Sequence, residues 1–115
     1  EEESMRNLTL LQQTFQTLPL EFIESNDVVV GYAAVDKNTY FGITKNGVLF
    51  SVDMFDYESK LRANLKIDFE GVVNAEADLL AIQFVSELES LCIVSNVGNI
   101  VTYKVLTDEV CVCCC

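Results

Sequence analysis

The chain has 115 residues, half of them apolar, with 7 basic against 18 acidic side chains and no histidine, for a formal charge of −11. That length holds one domain at most, and the apolar share is too high for a disordered segment. The charge disfavours direct binding to a phosphate backbone, the missing histidine removes the commonest general base, and no run approaches the roughly 18 apolar residues of a spanning helix.

In chain order, the opening "EEESMRN" lacks the basic-then-apolar order of a secretory signal, which predicts a soluble intracellular protein. Residues 1–4 read as an N-terminal extension, with Met5 as the native start. Residues 18–27, "LPLEFIESND", hold the only proline and read as a connecting loop. "VVVGYAAV" (28–35) reads as a strand on its Val and Tyr enrichment. "GITKNGVLFSV" (42–52) reads as strand, tight turn, strand, and Asn46-Gly47 predicts a primed turn because both residue types tolerate positive φ. Residues 53–60, "DMFDYESK", form a polar and aromatic link with room for a short helical turn. "LLAIQFVS" (79–86) and "IVSNVGNIVTY" (93–103) again read as strands, and residues 107–115, ending "VCVCCC", as an unstructured cysteine-rich tail.

The second set of strands echoes the first at an offset of 51: Thr44 falls on Ser95, Gly47 on Gly98 and Leu49 on Ile100. The same offset lays 28–35 on 79–86, Asp36 on Glu87, and "LTLLQQTFQTL" (8–18) on "SKLRANLKIDF" (59–69). A repeated unit of four strands and 40–50 residues fits a propeller blade better than a sandwich, whose turns recur every ~8–12 residues. The expected fold is all-β: a partial β-propeller of about two WD-like blades over residues 5–106, with stretches 28–53 and 79–105 as similar three-stranded antiparallel units. The competing reading is two ordinary hairpins of an all-β domain that agree by chance.

The chemistry on offer is sparse. No phosphate-binding glycine loop occurs. Glu21, Glu24, Asp27, Glu70, Glu76 and Asp78 are scattered over loops and read as solvated charge rather than an acid–base pair. Tyr32, Tyr40, Phe41, Phe50, Phe69 and Phe84 read as core, and Cys92 as a buried, inert thiol. Cys111, Cys113, Cys114 and Cys115 are candidate lipidation sites. Against that, no CaaX box or basic stretch is present, and "TDEV" upstream would be repelled by anionic lipid, so membrane attachment is not favoured. Their spacing suits a zinc tetrahedron badly. The reading preferred over lipidation is an unstructured end left by truncation or an altered reading frame. No catalytic, cofactor-binding or metal-binding residue is assigned.

"MRNLTLL" (5–11) resembles the opening of the largest subunit of the Elongator complex, the IKAP family. "YFGITKNGVLFSVD" (40–53) resembles that family's strand pair around a Gly turn, and "LLAIQFVSELESLCIVSNVGNIVTYKV" (79–105) the segment that follows. The resemblance runs from Met5 to Val105 and rests on order and spacing rather than one motif. It implies a WD-repeat-like propeller, partners among the other Elongator subunits, and a non-catalytic scaffold in a cytoplasmic, or nuclear, complex that modifies wobble uridines of tRNA. It further implies that the chemistry belongs to another subunit. Family members are far longer; here about two blades precede the cysteines, and "LTLLQQTF" (8–15) suits a strand that would complete the last blade of a ring. About two blades also expect self-association through unclosed edges. The alternative function is a small acidic adaptor anchored to a membrane by lipidated C-terminal cysteines.

Overall fold

The computed structural model describes residues 21–68 and 76–113, omitting the side chains of Val112 and Cys113. Strands β1 (Val29–Ala34), β2 (Thr39–Thr44), β3 (Val48–Asp53) and β4 (Ser59–Asn64) form one four-stranded sheet in sequential order. A single turn of helix, α1 (Leu65–Asp68), ends that unit. Strands β5 (Leu79–Val85), β6 (Ser90–Ser95), β7 (Ile100–Lys104) and β8 (Val110–Cys113) form a second sheet of the same order, with a 3₁₀ turn at Ser86–Leu88. All pairings are antiparallel, as short connections between successive strands require. Each sheet is a blade.

The sequence echo has a hydrogen-bonding cause. In the β2–β3 turn, Gly47 N–H donates to Thr44 O at 3.1 Å, and the Thr44 hydroxyl accepts from Val48 N–H at 2.9 Å. In the β6–β7 turn, Gly98 N–H donates to Ser95 O at 3.2 Å, and the Ser95 hydroxyl accepts from Asn99 N–H at 3.3 Å. Gly47 has φ 100° and Gly98 φ 83°, in the region that disfavours a Cβ. Asn46 keeps a negative φ, so the expected primed turn is not formed; the positive φ falls only on the glycine that follows the turn. Gly47 with Gly98 and Leu49 with Ile100 hold equivalent register positions, as expected.

The uniform offset fails in the first strands. Val29 pairs with Thr44 and Gly31 with Ile43, whereas Leu79 pairs with Ser95 and Ala81 with Val94. β1 therefore matches β5 at 50 residues while β2 matches β6 at 51, because the β5–β6 connection carries one extra residue, absorbed by the 3₁₀ turn and Glu89 at φ 49°. One residue of slip exchanges the faces of a strand. With it corrected, Val30 is equivalent to Leu80 and Tyr32 to Ile82.

Three other expectations need correction. Residues 54–56 form a tight turn, not a helical one, and the helical turn lies at Leu65–Asp68 instead. Val110–Cys113 pair with β7 as β8, so the tail is not unstructured there: in-register backbone bonds join Thr102 to Cys111 and Ile100 to Cys113. Cys92 is half-buried rather than buried. The strand at 8–15, Phe69, Glu70, Cys114 and Cys115 lie outside the described residues.

The main core lies between the blades. Ala33, Phe41, Ile43, Leu49, Ala63 and Leu65 of the first blade pack on Leu79, Leu91, Ile93, Val101 and Tyr103 of the second. β1 and β5 run side by side in the same sense; a Cβ on Gly31 would stand 3.1 Å from Ile82 Cγ2, so the strands approach closely there. A second cluster covers the outer face of the first blade, where Phe50 and Val52 are buried beneath Phe22, Ile23, Val29, Tyr32, Tyr40 and Met54. Phe50 lies across Gly42, its cross-strand partner, where an added Cβ would come within 2.3 Å of the ring. The equivalent pair in the second blade is Ile93 with Val101.

Candidate interaction surfaces

The repeat gives each blade two unlike faces. One face of the first blade, carrying Val30, Phe41, Ile43 and Leu49, is covered by the second blade. The equivalent positions of the second blade are Leu80, Cys92, Val94 and Ile100; Leu80, Val94 and Ile100 are exposed and Cys92 is half-buried. The strand face that is core in the first blade is thus an exposed apolar face in the second.

Across the seam runs a polar latch. Arg62 of β4 donates to Asp108, in the β7–β8 turn, at 3.1 Å, and its guanidinium lies 5.2 Å from the centre of the Phe41 ring. Tyr103 donates its hydroxyl proton to the same Asp108 carboxylate. Burial, and then the hydrogen bond to Asp108, push the Tyr103 phenol up to about 12. The Tyr103 hydroxyl first, and Arg62 beside it, hold Asp108 below the usual carboxylate range. Asp108 has φ 59°, a conformation Asp tolerates better than most residues. The backbone adds a second tie, from Leu79 N–H to Lys45 O at 3.0 Å, with Lys45 Nζ 3.9 Å from Asp78.

The latch predicts a pH signature. A carboxylate whose folded pKa is depressed contributes stability above its unfolded pKa, near 3.9, and loses it as pH falls through the folded value. Asp108→Asn should therefore lower stability by about 1 kcal/mol at neutral pH, a modest figure because the carboxylate is largely exposed. In paired thermal melts the gap between the two proteins should hold steady above about pH 5 and narrow below pH 4. A gap independent of pH would show that the charge on Asp108 is not what holds the seam.

Of the other residues singled out in the sequence, Phe41 and Phe50 are buried, and Tyr32, Tyr40 and Phe84 pack partly buried against the two clusters. Asp27 accepts from Val28 N–H at 2.9 Å and Asn46 N–H at 3.1 Å, a structural task that ties the approach to β1 to the β2–β3 turn. Cys111 is exposed on β8 and shares a cross-strand row with Thr102 and Cys92. Among the described residues no group of three or more His, Cys, Asp or Glu is placed to hold a metal ion, and no helix is long and apolar enough to cross a membrane. The latch itself was not legible in the sequence, because Arg62 and Asp108 are 46 positions apart.

Two sequential four-stranded antiparallel blades, packed face to face around a shared apolar seam, define part of a β-propeller. The model of the family described as ELP1 first N-terminal beta-propeller matches residues 5–113, and the chain belongs to that family. The match extends past Val105 to take in β8. No curated protein and no solved structure gives a significant match.

Proposed function

We propose that the chain is a non-catalytic scaffold segment of an Elongator largest-subunit-like protein, supporting tRNA wobble-uridine modification through protein–protein assembly in the cytoplasm. The supporting observation is the match of residues 5–113 to the first ELP1 propeller, on a chain whose repeated polar side chains serve turns and the seam. Rigid blades of this kind present faces and rims to partners. The −11 charge argues that the segment itself does not hold tRNA. The residue boundaries 5–106 for the blades and 107–115 for the tail give way in this reading to one unit reaching β8.

Affinity purification from cells, with a tag placed before Met5, tests the reading. The other Elongator subunits should co-purify, and the isolated chain should show neither acetyl-CoA turnover nor submicromolar tRNA binding at physiological salt. Recovery of a folded chain without any Elongator subunit would overturn the assignment, as would tight tRNA binding by the chain alone.

A further inference from the structure

The β1–β2, β3–β4, β5–β6 and β7–β8 turns all lie on one rim. Antiparallel pairing puts them at one end of each blade, and the seam aligns the blades: Leu79, at the start of β5, bonds to Lys45, which bonds to Val28 beside the start of β1. This rim carries three of the most exposed apolar side chains among the described residues, Phe55 at 89%, Leu106 at 75% and Leu88 at 64%. Phe55 and Leu106 hold equivalent places in the repeat.

Both are held out by matching backbone frames. Under Phe55, Asp53 N–H donates to Glu58 O at 2.9 Å, Met54 N–H to Asn38 O at 2.7 Å, and Phe55 N–H to Asp53 Oδ1 at 2.8 Å. Under Leu106, Lys104 N–H donates to Glu109 O at 2.9 Å, Val105 N–H to Glu89 O at 3.1 Å, and Asp108 N–H to Lys104 O at 2.8 Å. An apolar side chain displayed on an ordered turn loses little conformational freedom on binding, the property of a contact anchor. The same turns, residues 36–38, 53–58, 86–89 and 105–109, carry eight carboxylates and one lysine, two of the carboxylates, Asp108 and Glu109, being already paired with Arg62 and Lys104. The opposite rim, at 21–28, 45–47, 65–68, 76–78 and 96–99, is less one-sided, with six carboxylates and two lysines among the described residues.

We propose that this rim is a docking surface for a basic protein segment bearing apolar side chains, which Phe55, Leu88 and Leu106 would anchor while the surrounding carboxylates attract and orient it. Nucleic acid and anionic membrane carry the wrong charge for such a rim. The inference rests on the scaffold reading for its setting but is tested apart from it.

The probe is a synthetic lysine-rich peptide with two leucines and a photo-crosslinking residue, used on the 115-residue chain beside a peptide of equal charge with serine in place of leucine. Crosslinks should map to the turns at 53–58 and 105–109. The double variant Phe55→Ser, Leu106→Ser, which leaves the charge unchanged, should bind the leucine peptide at least about tenfold more weakly, while Ile67→Ser on the opposite rim should change affinity by less than about twofold. Both altered side chains are exposed, so matching circular dichroism spectra are expected. Crosslinks confined to Leu80, Val94 and Ile100, equal binding by the serine peptide, or full binding by the double variant would overturn the proposal. Any of those outcomes would leave co-purification with Elongator subunits unaffected, so the two readings fail separately.

Discussion

Truncating Phe41 to alanine should destabilise the chain by about 3–5 kcal/mol, against a typical whole-domain stability of about 5–15 kcal/mol. Phe41 is 1% exposed and sits where the two blades meet. Its ring centre is 6.2 Å from that of Tyr103, and the Arg62 guanidinium lies over it. Removing it opens a cavity bounded by both sheets and strips the latch of its apolar floor. Cys92 occupies the equivalent position in the second blade but lies half-buried on the open face. Cys92→Ala should therefore cost less than about 1 kcal/mol. Urea titrations followed by circular dichroism would measure both. Comparable losses at the two positions would mean that the seam is not the principal core.

Purified as these 115 residues, the protein should self-associate, even in reductant that excludes disulfides through its cysteines. Leu80, Val94 and Ile100 present an apolar face whose counterpart in the first blade is covered. Covering ~400 Å² of such a face is worth up to roughly 10 kcal/mol at ~25 cal/mol per Å². The complementary surface would be the outer face of a first blade, but Phe50 and Val52 there already lie beneath Phe22 and Ile23. Association is therefore expected face to face, between two copies of the second blade, or through strand edges. Sedimentation should show dimers or larger species, and the pair Val94→Lys, Ile100→Lys should shift them toward monomer. A compact monomer with a sharp cooperative melt in the unaltered chain would overturn this expectation and indicate a self-contained small β-domain.

What the sequence disclosed followed from interactions close along the chain. Thr44, Gly47, Ser95 and Gly98 were legible because each serves a turn of a few residues, where residue type nearly dictates conformation. The family resemblance drew on the same hairpins and agrees with the match over 5–113. The shift between β1 and β5 was hidden because one extra residue in a turn leaves both strands equally apolar and changes only which face they show. β8 was missed since "VCVCCC" draws attention to thiol chemistry, although alternating valine also suits a paired strand. The rim is hidden in the sequence for a similar reason. Phe55 lies in a polar link, and nothing local says that its turn shares a rim with that of Leu88 and is equivalent to that of Leu106.

The pair Gly42 and Phe50, set against Ile93 and Val101, bears on how the two blades came to differ. Phenylalanine lies across from glycine in the first blade; in the second, two medium-sized branched residues face each other. Bulk is divided differently across the two strand pairs, and each meets its own neighbours: Phe50 lies beneath Phe22 and Ile23, whereas Ile93 and Val101 face the first blade. If the blades descend from one ancestral unit, neither change was readily accepted alone: isoleucine opposite phenylalanine overfills the sheet face, and valine opposite glycine leaves it hollow. The two sites are therefore coupled in packing, and an exchange of blade sequences within such a protein should carry both positions at once.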